Sequence, residues 1–224
     1  MKCDGTKTDT ELKKDVLDEL EYEPSVNITD IGVLVKNGAV TLNGYATSYD
    51  EKLNAVRAAK RIAGVTAIAD DIEVKLPSFQ YRTDGEIAAA AANQIECATS
   101  ILPRAVDITV HDGWITLAGE VEWWYQRGAA ENVVKHLTGV KGVTNQITIV
   151  PKPAPAEVAT AIKSAFERNA LVAAAKIQVE TSGNTVTLRG KVRNHAEKEE
   201  AERVAWAAPG VRSVDNKLRV AWWE

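Results

Sequence analysis

The phrase GAVTLNGYA occupies residues 38–46, and it returns as GWITLAGEV at residues 113–121 and as NTVTLRGKV at residues 184–192. The three copies align without a gap on one glycine each: Gly44, Gly119 and Gly190. A second glycine follows each of these 20 residues later, and a glutamate precedes each by 33 residues. Repetition on this scale indicates units of about 66–68 residues, the size of a small domain rather than of a solenoid repeat.

Each unit begins with the pattern of a helix and then of a hairpin. Apolar residues first recur at helical spacing, and a short alternating segment, typical of a strand with one buried face, comes next. The turn that follows is NG at 37–38, DG at 112–113 and GN at 183–184, and these dipeptides tolerate the positive φ of a tight hairpin. The repeated phrase is therefore predicted to be the second strand. Its inward residues are expected to be Val40 and Leu42, Ile115 and Leu117, and Val186 and Leu188.

A second helix and a last strand complete each unit. The helix is predicted over roughly 49–63, 124–138 and 195–208. It is expected to stop at a glycine that can adopt the left-handed conformation: Gly64, Gly139 and Gly210. The order α-β-β-α-β predicts an α+β fold of three tandem domains, each a three-stranded mixed sheet with two helices on one face. The other face of each sheet is left open to solvent or to a partner.

Two proline-bearing segments without periodicity separate the units, and both have the composition of domain linkers. They read PSFQYRTD and PKPAPA. The predicted division is an N-terminal tail (1–8), a first domain (9–76), a linker (77–84), a second domain (85–150), a linker (151–156) and a third domain (157–224). We expect the glycine that aligns the three phrases to hold one backbone position in all three domains, at a bulge or where a helix approaches closely.

This layout resembles the BON domain family, which is named for bacterial osmotically inducible and nodulation proteins. The resemblance covers nearly the whole chain, and it lies in the hairpin phrase G-x-V-T-L-x-G and in a closing phrase G-V-x-x-V-x-N-x-I/L-x-V. Asn145 and Asn216 supply the asparagine of the closing phrase, and the first unit is interpreted as departing there with Asp71. These motifs determine turns and core positions, so the resemblance implies a fold and does not bring an active site with it.

The resemblance implies interaction rather than catalysis. Members of the family include periplasmic osmotic-stress proteins with chaperone-like roles, outer-membrane lipoproteins that engage anionic phospholipid, and a cytoplasmic potassium-binding protein. The leading hypothesis is a non-enzymatic binding or chaperone-like protein of the bacterial osmotic or envelope stress response. The alternatives are a peripheral anionic-phospholipid-binding protein and a potassium or small-ligand sensor. Anionic phospholipid and a client protein are the partners left open, as is the oligomeric state.

The charge of the chain argues against a general nucleic-acid binder, because its formal net charge is −4 and such proteins carry a basic excess. The charge is unevenly spread. Residues 9–76 carry 8 basic against 13 acidic side chains, residues 82–150 carry 5 against 8, and residues 151–224 carry 12 against 9. The third unit is therefore the basic one.

The sequence contains no apolar run near the roughly 18 residues of a membrane span, and its first residues lack an apolar stretch of signal-peptide length. It therefore predicts a soluble, cytoplasmic protein, or a periplasmic one if a signal segment has been removed. Cys3 and Cys97 provide neither a disulfide framework nor the spacing of a zinc site.

No pattern in the sequence predicts catalysis. The three histidines, His111, His136 and His195, fall at non-equivalent places in the units and are expected to be solvated or structural. The chain has no serine-centred elbow, no phosphate-cradling glycine loop and no paired cysteine motif. We therefore predict no catalytic residue, no cofactor and no metal.

Basic side chains form the first candidate site. They alternate with inward apolar residues on two strands of the third unit, so they are predicted to share its open sheet face. These residues are Arg189, Lys191, Arg193, Lys217 and Arg219. Such a cluster can attract phosphate or lipid headgroups, dock on the acidic first unit, or only protect the sheet from edge aggregation.

Aromatic residues form the second candidate site, because adjacent aromatics are typical of interface hot spots and membrane-interface belts. A run of three lies between strand and helix of the middle unit, and a pair ends the chain. They are Trp123, Trp124, Tyr125, Trp222 and Trp223. Packing against the core or between domains is the alternative interpretation of both groups.

Overall fold

The computed structural model describes residues 7–99, 105–150, 158–169 and 177–220. Repeat 1 consists of α1 (Asp9–Tyr22), β1 (Ile31–Lys36), β2 (Ala39–Ala46), α2 (Tyr49–Arg61) and β3 (Ala67–Val74). Repeat 2 consists of α3 (Asp84–Cys97), β4 (Val106–His111), β5 (Trp114–Val121), α4 (Trp124–Val134), β6 (Gly142–Asn145) and β7 (Thr148–Ile149). Repeat 3 consists of α5 (Val158–Arg168), β8 (Ile177–Ser182), β9 (Thr185–Val192), α6 (His195–Trp206) and β10 (Ser213–Val220). The α+β fold with three tandem mixed sheets is confirmed.

The second strand is the centre of each sheet. β2 lies between β1 and β3, and β9 lies between β8 and β10. The hairpin pairs are antiparallel, and in repeats 2 and 3 the last strand pairs with the central strand in parallel. A parallel partner requires a crossover, which α4 and α6 provide. The described residues divide into two compact units, one holding residues up to 44, residues 53–72 and repeat 3, the other holding residues 45–52 and those from 73 to 150.

Each sheet buries one face, as the alternation predicts. All six inward residues of the repeated phrase are at most 1% exposed. The first helices contribute a stripe of buried residues at the predicted spacing: Leu12, Val16 and Leu20, Ile87, Ala91 and Ile95, and Ile162 and Phe166. Each repeat thus has its own small hydrophobic core between its helices and one sheet face.

The aligning glycines hold equivalent backbone positions, as predicted, but they lie in regular strand register rather than at a bulge or against one of the two long helices. Their φ angles are +110° at Gly44, +132° at Gly119 and +136° at Gly190. A Cβ atom at Gly44 would lie 2.0 Å from the carbonyl oxygen of Asp30, and one at Gly119 would lie 2.2 Å from that of Ala105. Glycine is therefore required twice over, for its φ and because the backbone entering the first strand passes against the central strand.

The second helices are shorter than predicted, since they end at Arg61, Val134 and Trp206. The glycines expected to end them do have positive φ, between +86° and +97°. They belong instead to a four-residue turn that follows the helix, closed in repeat 1 by a 3.4 Å bond from the amide of Val65 to the carbonyl of Ile62. The prediction extended the helix through this turn because apolar residues continue at helical spacing.

The closing phrase needs one correction. Asn145 Oδ1 accepts a hydrogen bond from the amide of Ile147, and Asn216 Oδ1 accepts one from Leu218, each at 3.2 Å. In repeat 1 the same 3.2 Å bond from Ile72 is accepted by Asp70, so Asp70 and not Asp71 occupies the asparagine position. The two asparagines also donate from Nδ2 to the preceding helix, which a carboxylate cannot do.

The last strand of repeat 2 is interrupted, whereas one continuous strand was predicted. β6 ends at Asn145, β7 begins at Thr148, and both pair with β5. Within the gap the amide of Gln146 donates to the carbonyl of Leu117 at 2.7 Å, so the sheet stays connected. Asn145 Oδ1 accepts from the amide of Ile147 at this point, but the equivalent bonds to Asp70 and Asn216 lie within unbroken strands, so this bond alone does not explain the interruption.

Candidate binding surfaces

Four of the five predicted basic residues lie together on the open face of the repeat 3 sheet. In the parallel register of β9 and β10, Arg189 pairs with Lys217 and Lys191 pairs with Arg219. All four side chains are exposed, and the neighbouring residues Leu188, Val192 and Leu218 are buried on the core side. We call these four residues the basic face.

Two carboxylates on the same sheet face partly offset this charge. Arg189 Nε lies 3.3 Å from Glu180 Oε2, and Lys217 Nζ lies 2.7 Å from Asp215 Oδ2. All these side chains are roughly half exposed, so the pairs are worth little and exchange readily with other partners. The face therefore presents four positive against two negative charges to an incoming ligand.

Arg193, the fifth predicted residue, lies beyond the end of β9. Its backbone amide donates to Glu197 Oε2 at 2.7 Å, and its Nε lies 3.4 Å from the same oxygen. Glu197 is buried at the start of α6, where its own amide donates to the N-cap residue Asn194 at 2.8 Å. This reciprocal capping holds Arg193 at the strand-to-helix junction and apart from the basic face.

The aromatic run of repeat 2 lies at the equivalent junction. The amides of Glu122 and Trp123 donate to the buried Gln126 Oε1 at 3.1 and 3.0 Å, as the amide of Arg193 does to Glu197, but the indole of Trp123 provides no acceptor where repeat 3 has Asn194. Trp123 and Tyr125 are exposed, whereas Trp124 is half-buried. Trp222 and Trp223 lie outside the described residues. The described part of the second candidate site is thus two exposed rings on either side of a half-buried one.

Sequence reasoning missed a further aromatic residue, Trp114, on the open face of the repeat 2 sheet. Its indole Nε1 donates to Thr144 Oγ1 at 2.7 Å, and its six-membered ring covers Gly142 on the neighbouring strand. The ring is nevertheless 46% exposed. A comparison of the repeats could have found it, because the first and third carry Ala39 and Thr185 at this position.

A histidine marks a contact within the unit that holds repeats 1 and 3. His195 Nε2 is the one buried side-chain nitrogen or oxygen without a hydrogen-bond partner among the residues that the structure describes. Burial lowers the pKa of His195, and the nearby ammonium groups of Lys198 and Lys60 lower it further, against a hydrogen bond to the backbone of Thr66 and the charge of Glu199. Lys60 Nζ also lies 2.5 Å from Glu199 Oε1. The folded protein therefore favours the neutral form of this imidazole.

Over residues 7–99, 105–150, 158–169 and 177–220, no three His, Cys, Asp or Glu side chains are grouped so that they could hold a metal ion. No described helix is long and apolar enough to cross a bilayer.

Comparison with known proteins places the chain in a family. Osmotically-inducible protein Y of Escherichia coli (strain K12) is 31% identical over 128 residues, which cover 55% of this chain and 63% of that protein. Two solved structures of CdsD, a structural protein of the type III secretion system of Chlamydia trachomatis, match 93% and 96% of the chain at 12% and 13% identity, with TM-scores of 0.26 and 0.25. These two matches cover 91% and 100% of the solved CdsD chains, and the second chain is the C-terminal domain of CdsD.

The family match covers nearly the whole chain. The sequence profile of the BON domain matches three times, over residues 8–75, 83–151 and 156–221. Each match contains one copy of the hairpin phrase and one complete α-β-β-α-β set of predicted elements. The chain therefore belongs to the BON domain family, with three tandem copies of the domain.

Proposed function

We propose that this chain is a non-enzymatic binding protein of the bacterial osmotic stress response. The proposal is supported by the three BON domains and by the similarity to an osmotically inducible protein, of whose length the chain spans 63%. Three domains on one chain can engage a surface at several points, and linked weak contacts raise the overall affinity by orders of magnitude.

We infer that the surface bound is that of an anionic phospholipid bilayer. The observation that carries this inference is the cross-strand register, which sets Arg189 beside Lys217 and Lys191 beside Arg219 on an exposed sheet face. Like charges directly opposite one another destabilise a sheet, so this arrangement lowers the stability of repeat 3. Each basic residue near an anionic leaflet contributes about 1 kcal/mol to binding. A flat face with four such residues can bind headgroups without inserting into the bilayer.

Chaperone-like binding of a client protein is the second candidate function. It is favoured by exposed aromatic side chains, among them Phe79, Tyr81, Trp123 and Tyr125. Aromatic residues are enriched at protein interfaces because they bury a large area at a low cost in conformational entropy. In this function the exposed rings would contact unfolded segments of a client.

Co-sedimentation with vesicles separates the two functions. The chain is expected to pellet with vesicles of phosphatidylglycerol and phosphatidylcholine, to remain in solution with phosphatidylcholine alone, and to dissociate as salt is added, since salt screens exposed charges. Suppression of client aggregation without any vesicle binding would favour the chaperone-like function instead.

The potassium-sensing alternative and the cellular location are tested separately. A potassium-sensing role predicts a more compact chain in potassium than in sodium buffer, measured by small-angle scattering. The cytoplasmic location that the sequence predicts is tested by cell fractionation, and recovery of the chain with the periplasmic fraction would contradict it.

A further inference from the structure

Trp114 forms a fixed, flat platform on the open face of the repeat 2 sheet. A Cβ atom placed on Gly142 would lie 2.5–2.6 Å from Cζ3, Cε3 and Cη2 of the indole, so one face of the ring rests on the Gly142 backbone. The 2.7 Å bond from Nε1 to Thr144 Oγ1 prevents rotation of the ring. With one face covered and its polar edge satisfied, the exposure of Trp114 belongs to the outer face of the ring.

The platform depends on three positions of repeat 2 at once. Trp114, Gly142 and Thr144 supply the ring, the space beneath it and the acceptor for its N–H group. The equivalent positions are Ala39, Ala67 and Ala69 in repeat 1 and Thr185, Ser213 and Asp215 in repeat 3. Neither set can build the same arrangement, because only glycine leaves room for a ring laid against the backbone. The three residues therefore act together in one repeat only.

The surroundings of the ring define the ligand that it suits. Thr116 lies two residues along β5 and pairs with Thr109 on β4 and with Thr144 on β6, so a row of three hydroxyl-bearing side chains crosses this face, with Thr144 next to the indole. Asp107 and Glu120 add carboxylates further along the same face, and no strand of this sheet contains lysine or arginine. Such a face offers an anionic ligand no lysine or arginine, whereas a ligand rich in hydroxyl groups finds acceptors and donors beside a flat apolar surface.

We propose that this face binds a neutral oligosaccharide, with one pyranose ring stacked on the outer face of Trp114 and hydroxyl groups of the adjoining sugar units bonded to Thr116 and Thr109. The C–H groups on one side of a pyranose present a flat apolar surface that packs against an aromatic ring through dispersion contacts. This site lies on a different repeat from the basic face and does not depend on lipid binding.

The test follows the indole N–H signals of the full chain by NMR during titration with neutral β-1,4-linked tetrasaccharides of glucose and of N-acetylglucosamine. The signal of Trp114 is assigned by its absence in Trp114→Ala. It is expected to shift with millimolar sugar while the signals of Trp123 and Trp124 do not. Trp114→Ala should weaken binding, measured by calorimetry, by at least about fivefold, since one ring stack is worth roughly that factor. Trp123→Ala is the matched control and should bind as the wild type does.

The alternatives give distinct results. If Trp114 only shields Gly142, Trp114→Ala lowers the melting temperature and the sugars cause no shift in any variant, which overturns the proposal. Two variants keep a ring on Gly142: the single variant Trp114→Phe and the double variant Thr109→Ala with Thr116→Ala. A loss of sugar binding in the double threonine variant therefore supports the site independently of stability. If Trp114→Ala reduces vesicle binding instead, the platform contacts membrane and the oligosaccharide proposal fails.

Discussion

Reversing Arg189 and Lys191 to glutamate is expected to abolish vesicle binding. The open face carries four basic and two acidic side chains, a net charge of +2, and the double reversal changes this to −2. At about 1 kcal/mol per charge near an anionic leaflet, a change of four charges is worth about 4 kcal/mol, or roughly a thousandfold in affinity. Salt reduces this figure, so the largest difference is expected at low ionic strength.

The same variant should fold at least as well as the wild type. In the wild type Arg189 lies opposite Lys217, and Lys191 lies opposite Arg219, so the reversal converts two like-charge pairs into opposite-charge pairs. Such pairs contribute roughly 0.2–1 kcal/mol each, against which the exposed pair of Arg189 with Glu180 is lost. Vesicle binding should therefore disappear while the melting temperature stays the same or rises.

The assay compares this variant with one of equal charge. Lys163→Glu with Arg168→Glu reverses two exposed residues of α5, on the helix side of the same repeat. Co-sedimentation of the control should stay near the wild-type level. Equal loss of binding in both variants would show that net charge matters and the basic face does not. If the basic face instead docks on the first repeat, its reversal would change the small-angle scattering profile and leave lipid affinity intact. If neither measurement changes, the basic face is a solvated surface without a binding role.

Three further predictions concern the fold and its contacts. Gly119→Ala should destabilise repeat 2 by about 3 kcal/mol or more, because the new side chain combines a disallowed φ with a backbone clash. In the control Gly128→Ala, in α4, the new Cβ meets no atom within 4 Å, so this variant should be more stable than the wild type by about 0.5–1 kcal/mol. Thermal unfolding compares the two variants. The pKa of His195 is lowered in the folded protein, so the contact around it should persist above the ordinary histidine pKa of about 6.5 and weaken as the pH falls below that value. Hydrogen exchange of backbone amides near the contact measures this pH dependence, and His195→Gln should remove it. Chymotrypsin should cut first after Phe79 or Tyr81, which are 74% and 58% exposed between repeats 1 and 2, and early cleavage within 113–121 would contradict the proposed domain boundaries.

Local chemistry explains which parts of the fold could be predicted from the sequence. The hairpins follow from turn dipeptides such as Asn37-Gly38, both with positive φ, and the core follows from strict alternation along the second strand. The ends of the second helices could not be placed, because the apolar spacing continues into the turn at Gly64, Gly139 and Gly210. The interruption of the last strand after Asn145 could not be predicted either, because the same side-chain bond occurs within the unbroken last strands of repeats 1 and 3.

The binding surfaces, too, could be predicted from the sequence only in part. The alternation along two strands predicts that Arg189 and Lys217 share a face, but their pairing with carboxylates depends on how side chains reach across strands. Trp114 escaped notice because its partners lie 28 and 30 residues further along the chain, and only the parallel register brings them beneath it. A contact between distant segments has no periodic signal in the sequence.

The parallel pairing of the central and last strands has a consequence for synthesis of the chain on the ribosome. The hairpin of repeat 3 is complete at Val192, but its sheet gains the third strand only when residues 213–220 are available. A two-stranded hairpin is marginally stable by itself, so the half-made domain exposes one edge of its central strand until the crossover helix and the last strand arrive. Translation at roughly 5–20 residues per second leaves that edge open for one to a few seconds, and the same interval recurs for each of the three domains.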